Sequence, residues 1–432
     1  MKTGAINGRS EAGLHPGFKT LPINQPVTRR IIYFITFCLV FQSTGVSILF
    51  TVYARKIGAI GQGVEVFGFG AAAFSLAALV TAPYLGMLAD RLGRRRLLLG
   101  SLAAHALAPL GYLLVPTGST FIAARAVAGG LTAGLAPASI SMVGDLTAQA
   151  ERSRWIGFMT GWSALGFVIG PPLGGWIFDR WGLAAPFLVA AVVNALAFLI
   201  ALWLIPDTAP ANLKPMKSHP GAASGKTGLA TQLSKFRIAI PRPYRTWVVL
   251  GMISFIPVFA WRFMEPQFHF YIYNTIGWAS ARFGLVMSGY AVLLMAAETI
   301  LGSFSDRCGR KPILMIGLLV HSAQYIALIA TDSSTWIALG ITLSGLGEGL
   351  IMPALNAYFL DASPEQYRAQ MIGIKEMMFS LGGLAGPAWV VLAIRYLQPV
   401  GIFIIAGSLI LFSAFLVPLS YGWETNKVLG ET

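Results

Sequence analysis

Long apolar runs separated by short polar gaps make up most of the chain. As a helix, each run is long enough to cross about 30 Å of hydrocarbon, which takes about 20 residues. We predict twelve membrane-spanning helices from these runs, at residues 31–54, 64–89, 97–117, 120–145, 155–178, 183–206, 246–273, 282–305, 312–331, 335–360, 369–394 and 398–422.

A longer polar stretch divides the twelve runs into two sets of six. It contains the segment SHPGAASGKTG, several Lys and Arg residues, and no acid after Asp207, as is typical of a flexible linker. We therefore expect an all-α membrane protein with two six-helix bundles. The predicted parts are a cytoplasmic tail at 1–30, an N-terminal bundle at 31–206, a cytoplasmic linker at 207–244, a C-terminal bundle at 245–423 and a cytoplasmic tail at 424–432.

The two halves are copies of one unit. GMLADRLGR, which begins at Gly86, recurs without insertion as GSFSDRCGR, which begins at Gly302. The same offset carries Asp145 to Asp361 and Gly170-Pro171 to Gly386-Pro387. Parallel repeats of this kind build some secondary transporters, whose substrate sites lie between the halves.

Composition supports a membrane protein and excludes several other classes. The chain is 56% hydrophobic and 11% charged, with a mean hydropathy of +0.68. Its net charge of +14 does not indicate nucleic-acid binding, because the basic residues lie in short gaps between apolar runs. Its two cysteines form neither a disulfide framework nor a metal site. No nucleophile elbow or phosphate loop is present, so we expect neither an enzyme nor a cofactor.

The Lys and Arg residues also predict the orientation. Most of them fall in the tails, the linker and the loops on the side of the termini, whereas the remaining loops keep only Arg55, Lys56, Arg180, Arg282 and Arg395. This bias places both termini in the cytoplasm. Residues 1–30 lack the short apolar core of a signal peptide.

Twelve spans in two repeats, with a G-x-L-A-D-R-x-G-R-R loop between the second and third and a degenerate copy between the eighth and ninth, resemble the major facilitator superfamily. The resemblance covers residues 30–423. It implies that the loop is a cytoplasmic gate motif that joins the two bundles, with Asp90 facing the start of the eleventh span and Arg94 paired with Asp145. The gate motif comprises Gly86, Asp90, Arg91, Gly93, Arg94 and Asp145, with Asp306, Arg307 and Arg310 in the second copy. Alternatively, its arginines act only as topology anchors.

A glycine-rich motif in the fifth span resembles one that the family associates with exporters that exchange substrate for protons. Its small residues allow close helix contact. The motif comprises Gly157, Gly166, Gly170, Pro171, Gly174 and Gly175. The alternative is ordinary helix packing. Two departures weaken the exporter assignment: Ala128 replaces the glutamine of the family's fourth-span motif, and the first span lacks a proline.

Ionisable residues within the spans indicate a proton-coupling and substrate cavity. The candidates are Glu348, Arg125, Glu265, Arg262, His269 and Glu376. Glu348 lies near mid-membrane, where desolvation favours the protonated acid, and Gly347 and Gly349 are expected to leave room for water or ligand. We therefore expect Glu348 to carry the coupling proton, with Glu265 or Glu376 as the next candidate.

Two further charge interactions are predicted. Arg125 and Glu265 lie at similar depths and can pair across the bundles, unless Arg125 instead reaches the outer surface. Glu298 and Lys375 both lie toward cytoplasmic ends and can form a structural ion pair.

These features favour a proton-driven exporter of amphipathic small molecules that works by alternating access. A proton-coupled uptake carrier for a metabolite or sugar is the nearest alternative, and a transporter-like sensor is a third. The expected partners are a small-molecule substrate, protons and the lipid bilayer of the cell inner membrane. We expect a monomer.

Overall fold

The computed structural model describes residues 26–206, 244–301, 304–364 and 367–420. It contains twelve helices that are long and apolar enough to cross a membrane. They are α1 (Arg29–Thr51), α2 (Val64–Leu88), α3 (Arg94–Leu114), α4 (Gly118–Leu146), α5 (Glu151–Trp181), α6 (Ala184–Leu204), α7 (Tyr244–Asn274), α8 (Ser280–Leu301), α9 (Arg310–Ala330), α10 (Ser334–Ala362), α11 (Gln370–Ala393) and α12 (Pro399–Leu419).

The prediction of an all-α protein with twelve spans is confirmed. Every predicted span coincides with one observed helix, with ends that differ by a few residues. Most of the linker predicted at 207–244, and most of the two tails, lie outside the described residues.

Twelve crossings place the start of α1 and the end of α12 on the same membrane face, which we call the terminal face; the other is the opposite face. Near the terminal face each half has its own hydrophobic core. One contains Ile35 and Met142, and the other contains Leu314 and Phe359. The largest core lies toward the opposite face and contains residues of both halves. Among the described residues, the halves therefore share one core toward the opposite face and have separate cores toward the terminal face.

Short breaks interrupt several spans. Helical geometry is broken at Ala133 and Gly134 in α4, at Ala164 in α5 and at Ser322 in α9. Near the terminal face, α8 ends in a π-helical turn, Ala297–Leu301. Such breaks bend helices around a central space.

The two copies of the gate motif make the same turn. Gly93 precedes α3 with φ 93°, and Gly309 precedes α9 with φ 88°. Glycine is favoured here because other residues adopt positive φ at a cost. After each turn, the arginine at the start of α3 or α9 pairs with an acid at the terminal-face end of the following helix, α4 or α10. Arg94 pairs with Asp145, and Arg310 Nε lies 2.8 Å from Asp361 Oδ2.

Candidate functional site

A cavity of about 490 Å³, which we call the deep lobe, lies between the two halves. It adjoins a second space of about 560 Å³, the shallow lobe, because both are lined by Phe74, Trp261, Arg262 and Glu348. Along α2, α7, α10 and α11, the remaining residues of the shallow lobe lie closer to the terminal face than those of the deep lobe. The cavity therefore extends from mid-membrane toward the terminal face.

Glu348 lies where the two lobes join. Within the described residues it forms no ion pair and no hydrogen bond with a side chain, although Arg262 is close enough to influence it electrostatically. The flanking glycines do not leave room for water or ligand, as the sequence had suggested. A Cβ on Gly347 would lie 2.3 Å from the backbone nitrogen of His321, and one on Gly349 would lie 2.4 Å from the carbonyl oxygen of Leu294. They instead bring α9 and α8 against α10, which fixes Glu348 toward the cavity.

Arg262 and Glu265 form an ion pair in the deep lobe. The Nη1 atom of Arg262 lies 2.8 Å from Oε2 of Glu265, whose side chain is only 7% exposed. The pair spans one turn of α7 and points both residues at the cavity.

Arg125 lies at the closed end of the deep lobe and is surrounded by aromatic rings. Its Cζ atom lies 4.6 Å from the ring centre of Phe74, 5.0 Å from that of Tyr53 and 5.6 Å from that of Tyr112. Its Nη1 atom donates a 3.4 Å hydrogen bond to the hydroxyl of Tyr53. Such cation–π contacts stabilise a cation away from water.

The predicted pair between Arg125 and Glu265 is not formed in this structure. Both side chains line the deep lobe, but Glu265 is taken by Arg262 from its own helix. Helical spacing made this local pair available, and a partner one turn away is reached without moving the bundles. The alternative in which Arg125 reaches the outer surface is also not observed.

His269 and Glu376, two other predicted cavity residues, lie outside both lobes. His269 is fully buried, and its Nε2 atom lies 3.1 Å from the carbonyl oxygen of Phe50 in the other half. Glu376 is exposed and pairs with Lys375 at 2.7 Å. Lys375 also donates to Asn356 at 2.5 Å, so it does not form the pair predicted with Glu298. Glu376 lies on the same stripe of α11 as Phe379 and Ser380, which line the shallow lobe, but about one turn closer to the terminal face, beyond the lining of the lobe.

Hydrogen bonds between the halves close the deep lobe from the opposite face, and we call them the opposite-face seal. Tyr273 donates to the carbonyl oxygen of Thr51, and Arg55 donates to that of Trp278 at 3.1 Å. Among the described residues, all hydrogen bonds between the halves lie in the seal or in the adjacent wall of the cavity.

The sequence interpretation missed Asp179, which belongs to the seal. Its two carboxylate oxygens accept hydrogen bonds from the backbone N–H groups of Ser280 (3.2 Å) and Ala281 (2.7 Å) at the start of α8. Asp179 lies in the last turn of α5, where the helix dipole disfavours an acid. An acid at the end of a helix is unfavourable for that helix, and this could have indicated that Asp179 accepts hydrogen bonds at the start of a different helix, here α8.

Ser288 was also missed. Pro172 lacks an N–H group, so it leaves the carbonyl group of Val168, one turn earlier in α5, without its helical donor. The hydroxyl of Ser288 in α8 donates to this carbonyl oxygen at 2.7 Å. The proline pair in α5 therefore creates an acceptor that the other half uses.

The gate motif is only partly described. The side chains of Asp90, Arg91 and Asp306 lie outside the described residues, and Arg307 is exposed in the short helix Phe304–Cys308. The contact predicted between Asp90 and the start of α11 therefore remains a prediction. A Cβ added to Gly86 would meet nothing within 4 Å.

Comparison with known proteins identifies the family. The sequence model of the Major Facilitator Superfamily matches residues 32–272 and 248–430, one match for each half. The tetracycline resistance protein, class B, of Escherichia coli is 24% identical over 324 residues, which are 74% of this chain and 77% of that protein. Multidrug resistance protein 2 of Bacillus subtilis is 24% identical over 74% of this chain and 78% of its own length.

The fold also matches solved structures. One is a bacterial homolog of the human lysosomal transporter Spinster in an inward-facing, unoccupied conformation, with a TM-score of 0.65 and 16% identity. The match covers 92% of this chain and 95% of that one. At this identity the likeness concerns the fold alone.

Proposed function

Because the chain belongs to the Major Facilitator Superfamily, we propose that it is a proton-coupled antiporter that exports amphipathic small molecules. The observation that carries the proposal is the cavity between the halves, which combines apolar walls with Arg125 and Glu348, two charged groups that form no ion pair with any described residue. The names of the tetracycline and multidrug resistance relatives support export over uptake.

Alternating access follows from how the halves meet. The deep lobe is closed by the opposite-face seal and continues into the shallow lobe toward the terminal face. Breaking the seal and bringing the terminal-face ends of α2, α5, α8 and α11 together would expose the same residues to the other side. The substrate would then cross while the cavity itself stays in place.

We assign the coupling proton to Glu348. It faces both lobes, lies near the middle of the membrane and has no ionic partner of its own among the described residues. Glu265 is a weaker candidate because Arg262 already neutralises it.

We further propose that the terminal face is cytoplasmic and that the protein works as a monomer in the cell inner membrane. The basic residues support this orientation, since Arg29, Arg95 and Arg154 lie at the terminal face along with most other Lys and Arg of the described helices. In this orientation the cavity of the present conformation opens to the cytoplasm, where an exporter loads its substrate.

Everted membrane vesicles that contain the protein test the proposal. An imposed gradient, acidic inside, is expected to drive accumulation of amphipathic dyes, and a protonophore is expected to abolish it. Vesicles with the Glu348→Gln protein are the matched control. Accumulation only in right-side-out vesicles would instead identify an uptake carrier, and absence of transport in both orientations would overturn the proposal.

A further inference from the structure

The charges that line the deep lobe do not all cancel within the protein. Among the described residues, four charged side chains line it: Arg125, Arg262, Glu265 and Glu348. Arg262 and Glu265 neutralise each other at 2.8 Å. One cation and one acid therefore remain for a ligand.

The cation, Arg125, retains unused hydrogen-bonding capacity. A guanidinium group has five N–H donors, and the hydroxyl groups of Tyr53 and Tyr112 accept from only part of them. Its hydrogen bond to Tyr53 is long, at 3.4 Å. Within the described residues no carboxylate forms an ion pair with it. A planar fork of donors that faces a cavity suits the two oxygens of a ligand carboxylate.

The acid, Glu348, lies at the other end of the deep lobe, where this lobe joins the shallow one. An ionised carboxylate in such a position needs a positive charge, and the nearby Arg262 is already paired with Glu265. A ligand amine provides this charge when the proton is absent.

Between these two groups the walls are mostly apolar and include the flat rings of Phe67, Phe74 and Trp261. Aromatic walls favour a planar, apolar ligand body, which can stack on their faces. The lobe thus offers an anion site, an apolar middle and a cation site in that order.

We propose that the deep lobe binds amphipathic zwitterions, with an acidic group held by Arg125 and a basic amine at the far end held by Glu348. This inference rests on the proposed proton-coupled export and names its substrate class. It also explains how exchange is enforced. A proton on Glu348 removes the charge that holds the amine, so proton and substrate compete for one carboxylate.

The test uses naphthalene ligands that carry a carboxyalkyl group at one end and an aminoalkyl group at the other, with linkers of one to three carbons. Matched ligands carry the acid alone, the amine alone or neither. Binding to the purified full-length protein in nanodiscs is measured by ligand fluorescence. At the best linker length, the zwitterion is expected to bind about tenfold more tightly than either singly charged ligand, since each group adds a charge-assisted hydrogen bond.

The variants identify which residue holds which group. In Arg125→Met the site for the acidic group is lost, so the zwitterion and the amine-only ligand are expected to bind with equal affinity. In Glu348→Gln the site for the amine is lost, so the zwitterion and the acid-only ligand are expected to bind with equal affinity. Arg282→Met is the control, because Arg282 lies outside the cavity, against Trp278. It should keep the wild-type pattern.

Two outcomes overturn the inference: no preference for the zwitterion at any linker length, or a preference that Arg125→Met leaves unchanged. If amine-only ligands are exported in a proton-driven manner and zwitterions are not preferred, the proposed substrate class is wrong and the proposal of proton-coupled export remains valid. If zwitterions bind tightly but no proton-driven transport occurs, the proposal of proton-coupled export is wrong and the proposed binding site remains valid.

Discussion

Glu348 illustrates how the position of one residue can determine coupling. It is held between α8 and α9 by the glycines on either side of it, and its carboxylate faces the junction of the two lobes. In the proposed mechanism, the substrate arriving from the terminal face and the proton arriving from the opposite face both reach this point. A group placed there can bind either one but not both.

We therefore expect Glu348→Gln, which mimics the protonated acid permanently, to abolish accumulation driven by a proton gradient. Exchange of labelled for unlabelled substrate should continue, because the halves can still move without transferring a proton. Both are measured in the same vesicles. Glu376→Gln, which changes an exposed acid outside both lobes, should retain gradient-driven accumulation. If Glu376→Gln instead abolishes gradient-driven accumulation and Glu348→Gln retains it, Glu376 carries the coupling proton.

The ion pair between Arg262 and Glu265 leads to a prediction about stability. Arg262→Met leaves the carboxylate of Glu265 buried without its partner, and we expect the free energy of unfolding to fall by about 1 to 3 kcal/mol. Adding Glu265→Gln should restore most of the loss. Thermal unfolding of the purified variants measures both effects. Glu376→Gln breaks an exposed pair and should cost less than about 1 kcal/mol.

At the scale of elements, α5 uses its small residues for two different contacts. Gly166, Gly170 and Gly174 face α1 within the same half, whereas Gly175 lies against the start of α8 in the other half. A Cβ on Gly174 would lie 2.1 Å from the carbonyl oxygen of Ile48, and one on Gly175 would lie 2.1 Å from that of Ser280. One face of α5 therefore packs against α1 within the N-terminal bundle, and the other packs against α8 next to the opposite-face seal.

Alanine substitutions should separate these contacts. Gly174→Ala is expected to lower thermal stability, because it forces α1 and α5 apart within a bundle. Gly175→Ala should leave the bundles folded and favour opening at the opposite face. Opening is measured by labelling Ala71→Cys in the deep lobe with an impermeant maleimide from that face, after the exposed Cys308 is replaced by serine.

Gly157→Ala is the control, since a Cβ there would meet nothing within 4 Å. It should change neither stability nor labelling. Equal effects of all three substitutions would mean that helix propensity, and not these contacts, dominates.

Much of the architecture was predictable from the sequence because each helix must span the bilayer with apolar residues. Length and hydropathy fixed the twelve helices, and the repeat located both copies of the gate motif. Side-chain partners were harder to predict. Arg262 and Arg125 were both plausible partners for Glu265, and only the packing of α4 against α2 shows that Arg125 is held by aromatic rings. The roles of Asp179 and Ser288 depend on contacts between the halves, which no single helix encodes.

At the scale of the whole molecule, the shared core and the seal stabilise a conformation that is closed at the opposite face. A transporter needs this conformation to be only slightly favoured, so that substrate and proton binding can reverse the balance. The hydrogen bonds of Asp179 are suited to this purpose, because they join the halves and exist only while the opposite face is closed.

We expect Asp179→Asn to shift the balance toward the conformation open at the opposite face. Removing the charge from the start of α8 costs the closed state about 1 to 2 kcal/mol, which is roughly a 5- to 30-fold change in the equilibrium. Labelling of Ala71→Cys from the opposite face should increase accordingly. Asp332→Asn is the control, because this exposed acid lies on the same face, in the loop before α10, and forms none of the hydrogen bonds of the seal.

Asp90→Asn should act in the reverse direction. The gate motif is predicted to place Asp90 at the start of α11, where it would stabilise closure of the terminal face as Asp179 stabilises closure of the opposite face. Opposite-face labelling should therefore decrease in Asp90→Asn and return close to the wild-type value in the double variant, because the two changes weaken opposing conformations by similar amounts. Transport should fall in each single variant and recover in part in the double. If both single variants shift labelling in the same direction, Asp90 and Asp179 do not act as opposing closures, and the predicted role of Asp90 is wrong.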